Sequence, residues 1–336
     1  MWMNMDRNNP KPYAQNFRRG PFRIGERVQL TDTKGKHYTV TLTENGFFQC
    51  GRGNFRHREL IGKEEGTVLE TGAGRRLLAL RPLISDYVLS MPRGATVVYP
   101  KDAGQIIHQA DIFPGARIVE AGVGSGALSI SLLNAAGPGG KLISAEKRAE
   151  FADIARANVR SWFRGEMANW QIVLDDVQNV LAAQKEADID RVIFDLLDPW
   201  ENVSAAARAL VSGGVILAYV TTTTQMSCFV EKLRETRLFT EPVANETMLR
   251  TWHLDGLSVR PDHRMVAHTG FLVTARRLAR GSGPLRERVS PPAAAGEERK
   301  ISERKLRKVC RDVARRSAAE EAYMHGTGGE KPESGK

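Results

Sequence analysis

The sequence is poor in cysteine. Its 336 residues hold three, Cys50, Cys228 and Cys310, odd in number and far apart. That excludes a disulfide framework and a zinc cluster, and it fits a reducing cytoplasm. No uninterrupted apolar run reaches the ~18 residues of a membrane-spanning helix, so no membrane span is expected. Residues 1–19 are polar and basic and lack an apolar stretch, so no secretory signal is expected either. No internal repeat is visible. Charge, by contrast, is unbalanced: 49 Lys and Arg face 39 Asp and Glu, a formal net charge of +10. Such a surplus suits a polyanionic partner, because lysine and arginine displace counterions from phosphates; part of it on solvated tails would only aid solubility.

Four regions follow from composition and periodicity. Residues 1–19, with Asn8-Asn9-Pro10-Lys11-Pro12 and Arg18-Arg19, read as a flexible basic arm. Residues 20–81 alternate apolar and polar side chains in short runs, such as Arg27–Leu30 and Tyr38–Leu42. Turn signals at Lys34-Gly35-Lys36 and Glu44-Asn45-Gly46 separate these runs, which predicts a small, mostly antiparallel β domain. Residues 82–280 begin with a connector, to about Arg93, that carries a short helix. Strands (Arg117–Glu120, Lys141–Ala145, Gln171–Leu174, Arg191–Phe194, Val215–Val220) then alternate with helices (Ala127–Ala136, Ala149–Phe163, Val203–Leu210, Gln225–Arg234). That order predicts an α/β fold with a parallel, doubly wound sheet. Thr269–Ala275 is a last strand; no clear helix precedes it, so it is expected to lie antiparallel at or near the sheet edge. Residues 281–336 open with linker-like Gly281-Ser282-Gly283-Pro284 and form a basic tail. The tail is read as largely disordered, the alternative being one basic helix over Ile301–Tyr323 with Leu306, Val309 and Val313 along one face.

The run Glu120-Ala121-Gly122-Val123-Gly124-Ser125-Gly126 joins the first of these α/β strands to its helix. Glycines let a backbone turn tightly and let a ligand come close. Alone, such a turn marks NAD binding, another nucleotide cofactor or a plain turn. Glu120 stands where a carboxylate can hold a ligand's ammonium, the alternative being a helix-dipole partner or a surface acid. Glu146 ends the second strand, where two oxygens match a vicinal ribose diol. The order E-x-G-x-G-x-G departs from the dinucleotide fingerprint G-x-G-x-x-G. After the third strand, Asp176 suits an adenine amino group, with Asp175 as its competitor and loop solvation as the plain reading of either.

Ile193-Phe194-Asp195-Leu196-Leu197-Asp198-Pro199-Trp200 ends the fourth strand. Ligands in such sheets bind outside the carboxyl ends of the strands, so Asp195 is aimed at the crevice, the alternative being a helix cap. An aspartate there can accept a hydrogen bond from an exocyclic amine and help remove a proton, which suits methylation of a nucleobase nitrogen. The loop carries neither a Pro-Pro-Tyr nor a Pro-Cys signature, which disfavours exocyclic amino and cytosine C5 methylation. The chain also lacks a recognisable His-Asp or Tyr-Lys arrangement, which disfavours an NAD-dependent oxidoreductase.

These residues resemble the TrmI-type tRNA (adenine-58-N1)-methyltransferases. The matching stretches are Arg81-Pro82-Leu83, Tyr99-Pro100-Lys101-Asp102-Ala103, Glu120 to Gly126, Asp195 to Trp200, and Arg260-Pro261 through His268-Thr269-Gly270-Phe271-Leu272-Val273. They run in the family's order over about residues 20–280. The opening of the small β domain at Gly20-Pro21-Phe22 resembles the actinobacterial branch.

The resemblance implies a class I, Rossmann-like methyltransferase domain that uses S-adenosyl-L-methionine, a tRNA substrate and a homotetramer; with the cysteine usage, the lack of a long apolar run and the lack of suitably spaced ligands, a cytoplasmic protein with neither a membrane nor a metal partner is expected. It implies cofactor contacts from Gln105, Glu120, Gly122, Gly124, Ser125, Gly126, Ala127, Leu128, Glu146, Arg148, Asp176 and Asp195, with Asp195 also the catalytic acid that orients the target adenine. Tyr99 and Tyr219 would line the base pocket or pack as ordinary wall residues. His268, counted with them at the substrate, and His263 are loop-ordering hydrogen-bonders or RNA contacts; Trp252 and Arg260 face RNA or pack. The second strand departs from the family in ending Ala145-Glu146 where an aromatic is expected before the acid. A methyltransferase of this fold acting on another RNA adenosine is the alternative, and a non-catalytic RNA-binding subunit would have lost the glycine turn or Asp195.

Overall fold

The computed structural model describes residues 18–285 apart from 51 and 52, together with 307, 308, 310, 311 and 314. The chain divides into two compact units, Met1–Arg286 and Glu287–Lys336. In the second, the five described residues are helical and exposed. Leu306, Val309, Val313 and nearly all of the basic arm lie outside the described residues.

Six short strands build the small domain: β1 (Arg27–Asp32), β2 (His37–Thr41), β3 (Phe47–Cys50), β4 (Gly53–Arg56), β5 (Val68–Glu70) and β6 (Arg76–Leu80). The antiparallel order β2-β1-β6-β5 makes one sheet, and β3 and β4 pair separately. Alternation along β1 sends Val28 and Leu30 inward onto Phe22, Leu42, Phe55, Leu60, Leu77 and Ala79. Asp32 closes the β1–β2 turn by accepting the backbone N–H groups of Lys34 and Lys36, each at 2.9 Å. Arg81, at the expected boundary, ties the domain's ends together: it pairs with Glu26 and Glu65, each at 2.8 Å, and donates to the carbonyls of Gly20 and Pro21.

Beyond the boundary come α1 (Ile84–Ser90), α2 (Pro100–Gln109), β7 (Arg117–Ala121), α3 (Ala127–Ala136), β8 (Lys141–Glu146), α4 (Ala149–Phe163) and β9 (Trp170–Leu174). They are followed by α5 (Val177–Ala182), β10 (Ile189–Phe194), α6 (Val203–Ala209), β11 (Leu210–Val220), α7 (Thr223–Thr236), β12 (Val243–Asn245), β13 (Trp252–Asp255), β14 (Ser258–Pro261) and β15 (Phe271–Arg276). Helices α3 and α4 match the expected spans. Helix α2 is an addition: Pro100 starts it, where its missing N–H costs nothing, and Asp102, Ala103 and Ile106 form its buried face.

The sheet has seven strands in the order β12-β15-β11-β10-β7-β8-β9. Strands β9, β8, β7, β10 and β11 run parallel. The expectation of a parallel core sheet is met over these five. Strand β15 inserts antiparallel between β11 and the short edge strand β12, so the sheet as a whole is mixed. Two apolar clusters pack its two faces, one built around Ile106, Ile130, Leu132 and Leu142, the other around Phe194, Ile216, Phe229 and Val273. Covered on both faces, β7, β8 and β10 read as nearly continuous buried runs.

Candidate active site

The glycine turn sits where β7 hands over to α3. Gly124 and Gly126 have φ of +52° and +80°, a backbone region that side chains disfavour. A Cβ on Gly126 would stand 3.2 Å from the Ala155 backbone of α4, so glycine there lets the two helices close up. A Cβ on Gly122 would lie 3.6 Å from both the Asp195 carbonyl and Glu146 Oε2. The N–H of Asp195 donates to the carbonyl of Ala121 at 2.5 Å, and that of Gly122 to the carbonyl of Asp195 at 3.3 Å. The end of β10 is thereby tied to the start of the turn. Ala127 and Leu128 are buried at the head of α3.

Glu120 is fully buried, which removes the surface-acid alternative. Its Oε2 accepts the hydroxyls of Ser129 and Ser144, each at 2.6 Å, and Ser144 in turn accepts Trp170 Nε1–H at 2.9 Å. Its Oε1 is buried with no hydrogen-bond partner among the described residues, as is Ser125 Oγ in the turn itself. A buried unsatisfied acceptor costs about 1–3 kcal/mol, so these orphans point to a ligand with polar hydrogens. Burial, and then the nearby charge of Asp195, push the Glu120 pKa up to about 7 against the downward pull of the two serine bonds. An ammonium group beside Oε1 would satisfy the orphan and restore the carboxylate. The residues therefore fit the amino-acid end of S-adenosylmethionine. Ser129, Ser144 and Trp170 are not singled out by the sequence; the available signal is a serine in each of two otherwise apolar buried segments.

Glu146 is nearly buried and held by backbone. Its Oε1 accepts the N–H groups of Lys147 and Arg148 at 3.0 and 3.1 Å, and Oε2 accepts that of Gly124 at 3.2 Å. Arg148 stacks over Phe151, 3.7 Å from the ring centre. The two candidate aspartates separate by their partners. Asp175 accepts the Asn179 amide at 2.8 Å, along its own helix start, whereas Asp176 pairs with Lys147 at 2.7 Å, one residue beyond Glu146. The lysine hydrogen bond holds the Asp176 carboxyl below the usual range. Gln105 lies on α2 and accepts from Gln109 at 3.3 Å; no described bond joins it to the turn.

Asp195 follows β10, and burial raises its pKa to about 7. It is close enough to Glu120 and Tyr219 for its charge to raise both. The following loop makes a short 3₁₀ turn over Pro199–Asn202 that buries Pro199. Tyr219, near the end of β11, donates its hydroxyl to the Thr269 carbonyl at 2.6 Å; burial first, with Asp102, Asp195 and Tyr99 adding to it, pushes its pKa to about 12. Tyr99 caps α2 nearby. Lys101 donates to Asp102 at 2.7 Å and to Thr269 Oγ1 at 2.6 Å, and both charged side chains are buried.

Of the later block, His268 is committed within the protein. Its Nε2 donates to the Thr221 carbonyl at 3.0 Å, and Nδ1 meets Glu246 at 2.9 Å. These bonds, the carbonyl first, raise its pKa, as for the loop-ordering alternative. His263 lies 3.4 Å from Arg260. The packing alternative for Trp252 fails within the chain: it is 55% exposed on the β13–β14 hairpin, and Leu254, Leu257 and Val259 beside it are exposed as well. Among the described residues no cluster of three or more His, Cys, Asp or Glu is placed to hold a metal ion, and no helix is long and apolar enough to cross a membrane.

Five parallel strands, an antiparallel strand inserted beside β11, and an acid at the carboxyl end of each of β7, β8 and β10 define a class I S-adenosylmethionine-dependent methyltransferase. The all-parallel order of the dinucleotide fold does not contain that inserted strand. Two family models match the chain: TrmI-like N-terminal over residues 20–69, and tRNA methyltransferase complex GCD14 subunit over residues 77–259. The chain belongs to the TrmI-type tRNA methyltransferase family. It is 35% identical to the tRNA (adenine(58)-N(1))-methyltransferase TrmI of Thermus thermophilus, over 74% of this chain and 95% of that protein. It is 34% identical to the tRNA (adenine(57)-N(1)/adenine(58)-N(1))-methyltransferase TrmI of Methanocaldococcus jannaschii, over 74% of this chain and 93% of that one. Among solved structures, a SAM-dependent O-methyltransferase from Thermotoga maritima superposes with a TM-score of 0.72 at 30% identity, covering 78% of this chain and 96% of its own.

Proposed function

We propose that this protein methylates N1 of adenosine 58 in tRNA, with S-adenosylmethionine as donor and Asp195 as the acid that orients the target base. The observation that carries this reading is the placement of Asp195. It is buried at the end of β10, hydrogen-bonded through its backbone to the start of the glycine turn, and electrostatically in reach of both Glu120 and Tyr219.

When bound, S-adenosylmethionine supplies an electrophilic methyl group, so the protein's share of catalysis is placement and charge. Glu120 and Ser125 would hold the amino-acid end and Glu146 the ribose; Asp176 and Arg148 are assigned to the adenine side, and Gln105 is kept as a further cofactor contact. Ionised Asp195 accepts a hydrogen bond from the exocyclic amine of the target adenine, which fixes N1 toward the donor. The same carboxylate balances the positive charge that the ring gains on N1-methylation. Tyr99 and Tyr219 form the walls of the base slot, and the target base must leave its stack to enter it. His268, with both ring nitrogens engaged, shapes the substrate side by ordering the loop before β15.

A cytoplasmic homotetramer accompanies this reading, and the apolar β13–β14 hairpin supports subunit contact, since exposed apolar patches mark interaction sites. The decisive experiment is to incubate the protein with unmodified tRNA and labelled cofactor, then map the methylated nucleotide. Label at N1 of adenosine 58 is the expected result; label elsewhere, or none, removes the assignment.

A further inference from the structure

A basic groove lies along helix α4. Helix α4 begins beside Glu146 and ends against the small β domain. Arg156 and Arg160 lie four residues apart on one stripe of the helix, about 6 Å apart along its axis, and Arg164, at φ +57°, caps its carboxyl end. They line a groove of about 700 Å³ whose other walls include Gly25, Ser161 and Glu166. The neighbouring buried face of α4, Ala152, Ala155 and Val159, packs inward, so the stripe is not needed for the core.

The three arginines are not equivalent. Arg164 is anchored to the β domain: it donates to the Ile24 carbonyl at 3.1 Å and lies 3.5 Å from buried Glu26. Gly25, at φ +80°, permits this approach, because a Cβ there would stand 3.2 Å from Arg164 Nη2. Arg164 is thus one fixed joint between the two domains. Arg156 and Arg160 meet only solvent-exposed acids among the described residues, Asp153 at 2.8 Å and Glu166 at 3.4 Å. Arg160 and Glu166 are 70% and 78% exposed, the regime in which an ion pair contributes little. A phosphate can displace such a carboxylate, since guanidinium presents the same fork to either anion. Arg18, stacked 4.6 Å over the Trp162 ring beside Ser161, adds a further positive group at the same end.

We infer that the groove between α4 and the small β domain is a phosphate-binding track for the RNA substrate, in which Arg156 and Arg160 contact the sugar-phosphate backbone of a stretch remote from the methylated base. The inference rests on the tRNA reading above. It gives the small β domain a part in the track: through Ile24 and Glu26 it holds Arg164 and forms the second wall of the groove.

The test uses the full chain and unmodified tRNA, with binding measured between roughly 50 and 200 mM salt. For R156Q/R160Q, the slope of log affinity against log salt should shrink by about 0.7–0.9 for each phosphate that is no longer neutralised. KM for tRNA should rise about tenfold, while turnover at saturating tRNA and S-adenosylhomocysteine affinity stay within about twofold. R156K/R160K, which keeps the charge, should retain most of the slope. Wild-type affinity and slope in R156Q/R160Q would overturn the inference. So would a change in oligomeric mass by light scattering without a change in RNA affinity, which would assign the groove to a second copy of the chain. Failure of the wild-type protein to methylate tRNA at all is a different result and counts against the functional reading instead.

Discussion

Thr269 donates its hydroxyl to Asp102 at 2.6 Å across 167 residues of chain, and through that bond the start of α2 is locked to the start of β15. Lys101 completes the knot by donating to both partners. Tyr219 is fastened to the same residue through the Thr269 carbonyl, and Gly270 leaves room for its ring, since a Cβ there would stand 2.4 Å from it. Tyr99 lies two residues before Lys101. The spacing of the two tyrosines is thus set by one buried polar network.

Breaking that network should separate stability from fit. Asp102→Ala leaves Lys101 buried without its counter-charge, and a loss of about 3–5 kcal/mol in denaturant unfolding is expected. Thr269→Val keeps the ion pair and removes only hydroxyl bonds, so a loss of about 1–2 kcal/mol is expected. In Thr269→Val, methyl transfer should fall more than S-adenosylhomocysteine affinity does, measured by single-turnover assay and calorimetry. Equal losses would mean that the network supports the cofactor side instead.

Asp195→Ala should lower the rate of methyl transfer by about 10²-fold or more, with cofactor affinity largely kept. Asp195→Asn should also fall short, because an amide carries no charge to balance the cationic product. Near-normal turnover in either variant is the outcome that removes Asp195 from the chemistry.

The raised pKa of Asp195, about 7, carries a pH signature. The ionised form does the work, so kcat/KM should climb as pH rises to about 7 and level off above it. A rate that is flat from about pH 5.5 to 8 in the wild-type enzyme would contradict the proposed role.

Glu120 and Asp195 also make a linkage prediction. Both carboxyls have folded-state pKa values of about 7, above their ordinary values. The folded state therefore holds more protons than the unfolded state between about pH 4 and 7, and stability falls as pH rises through that window. The ligand-free protein should melt at a lower temperature at about pH 8 than at about pH 5.5. Glu120→Gln should flatten this trend and weaken S-adenosylhomocysteine binding by at least tenfold; an unchanged affinity would show that the orphaned Oε1 does not face the cofactor.

Much of the site is legible in the sequence because its parts obey local rules. A strand ending in Glu120, glycines, then a Leu- and Ala-rich helix is a contiguous pattern, and α3 and α4 occupy their expected spans for that reason. Glu146 and Asp195 are legible in the same way, each at the end of an apolar run. Helix α2 is not, since its amphipathic face is only ten residues long and begins at a proline. Nor does local pattern show that Asp175 and Asp176 take different partners: Asp176 pairs with Lys147, which follows a different strand end.

The sequence by itself determined the alternation of elements, the glycine turn and the acids at three strand ends, because backbone sterics and apolar periodicity act over a few residues. The tertiary structure alone decided what those acids face. It buried Glu120 against Ser129 and Ser144 with one oxygen left over, and it knotted Lys101, Asp102 and Thr269 beneath two tyrosines. It also inserted β15 beside β11 and aligned the α4 arginines with the small β domain. Each of these depends on burial and on partners far apart in the chain, which only the packed fold brings within hydrogen-bonding distance.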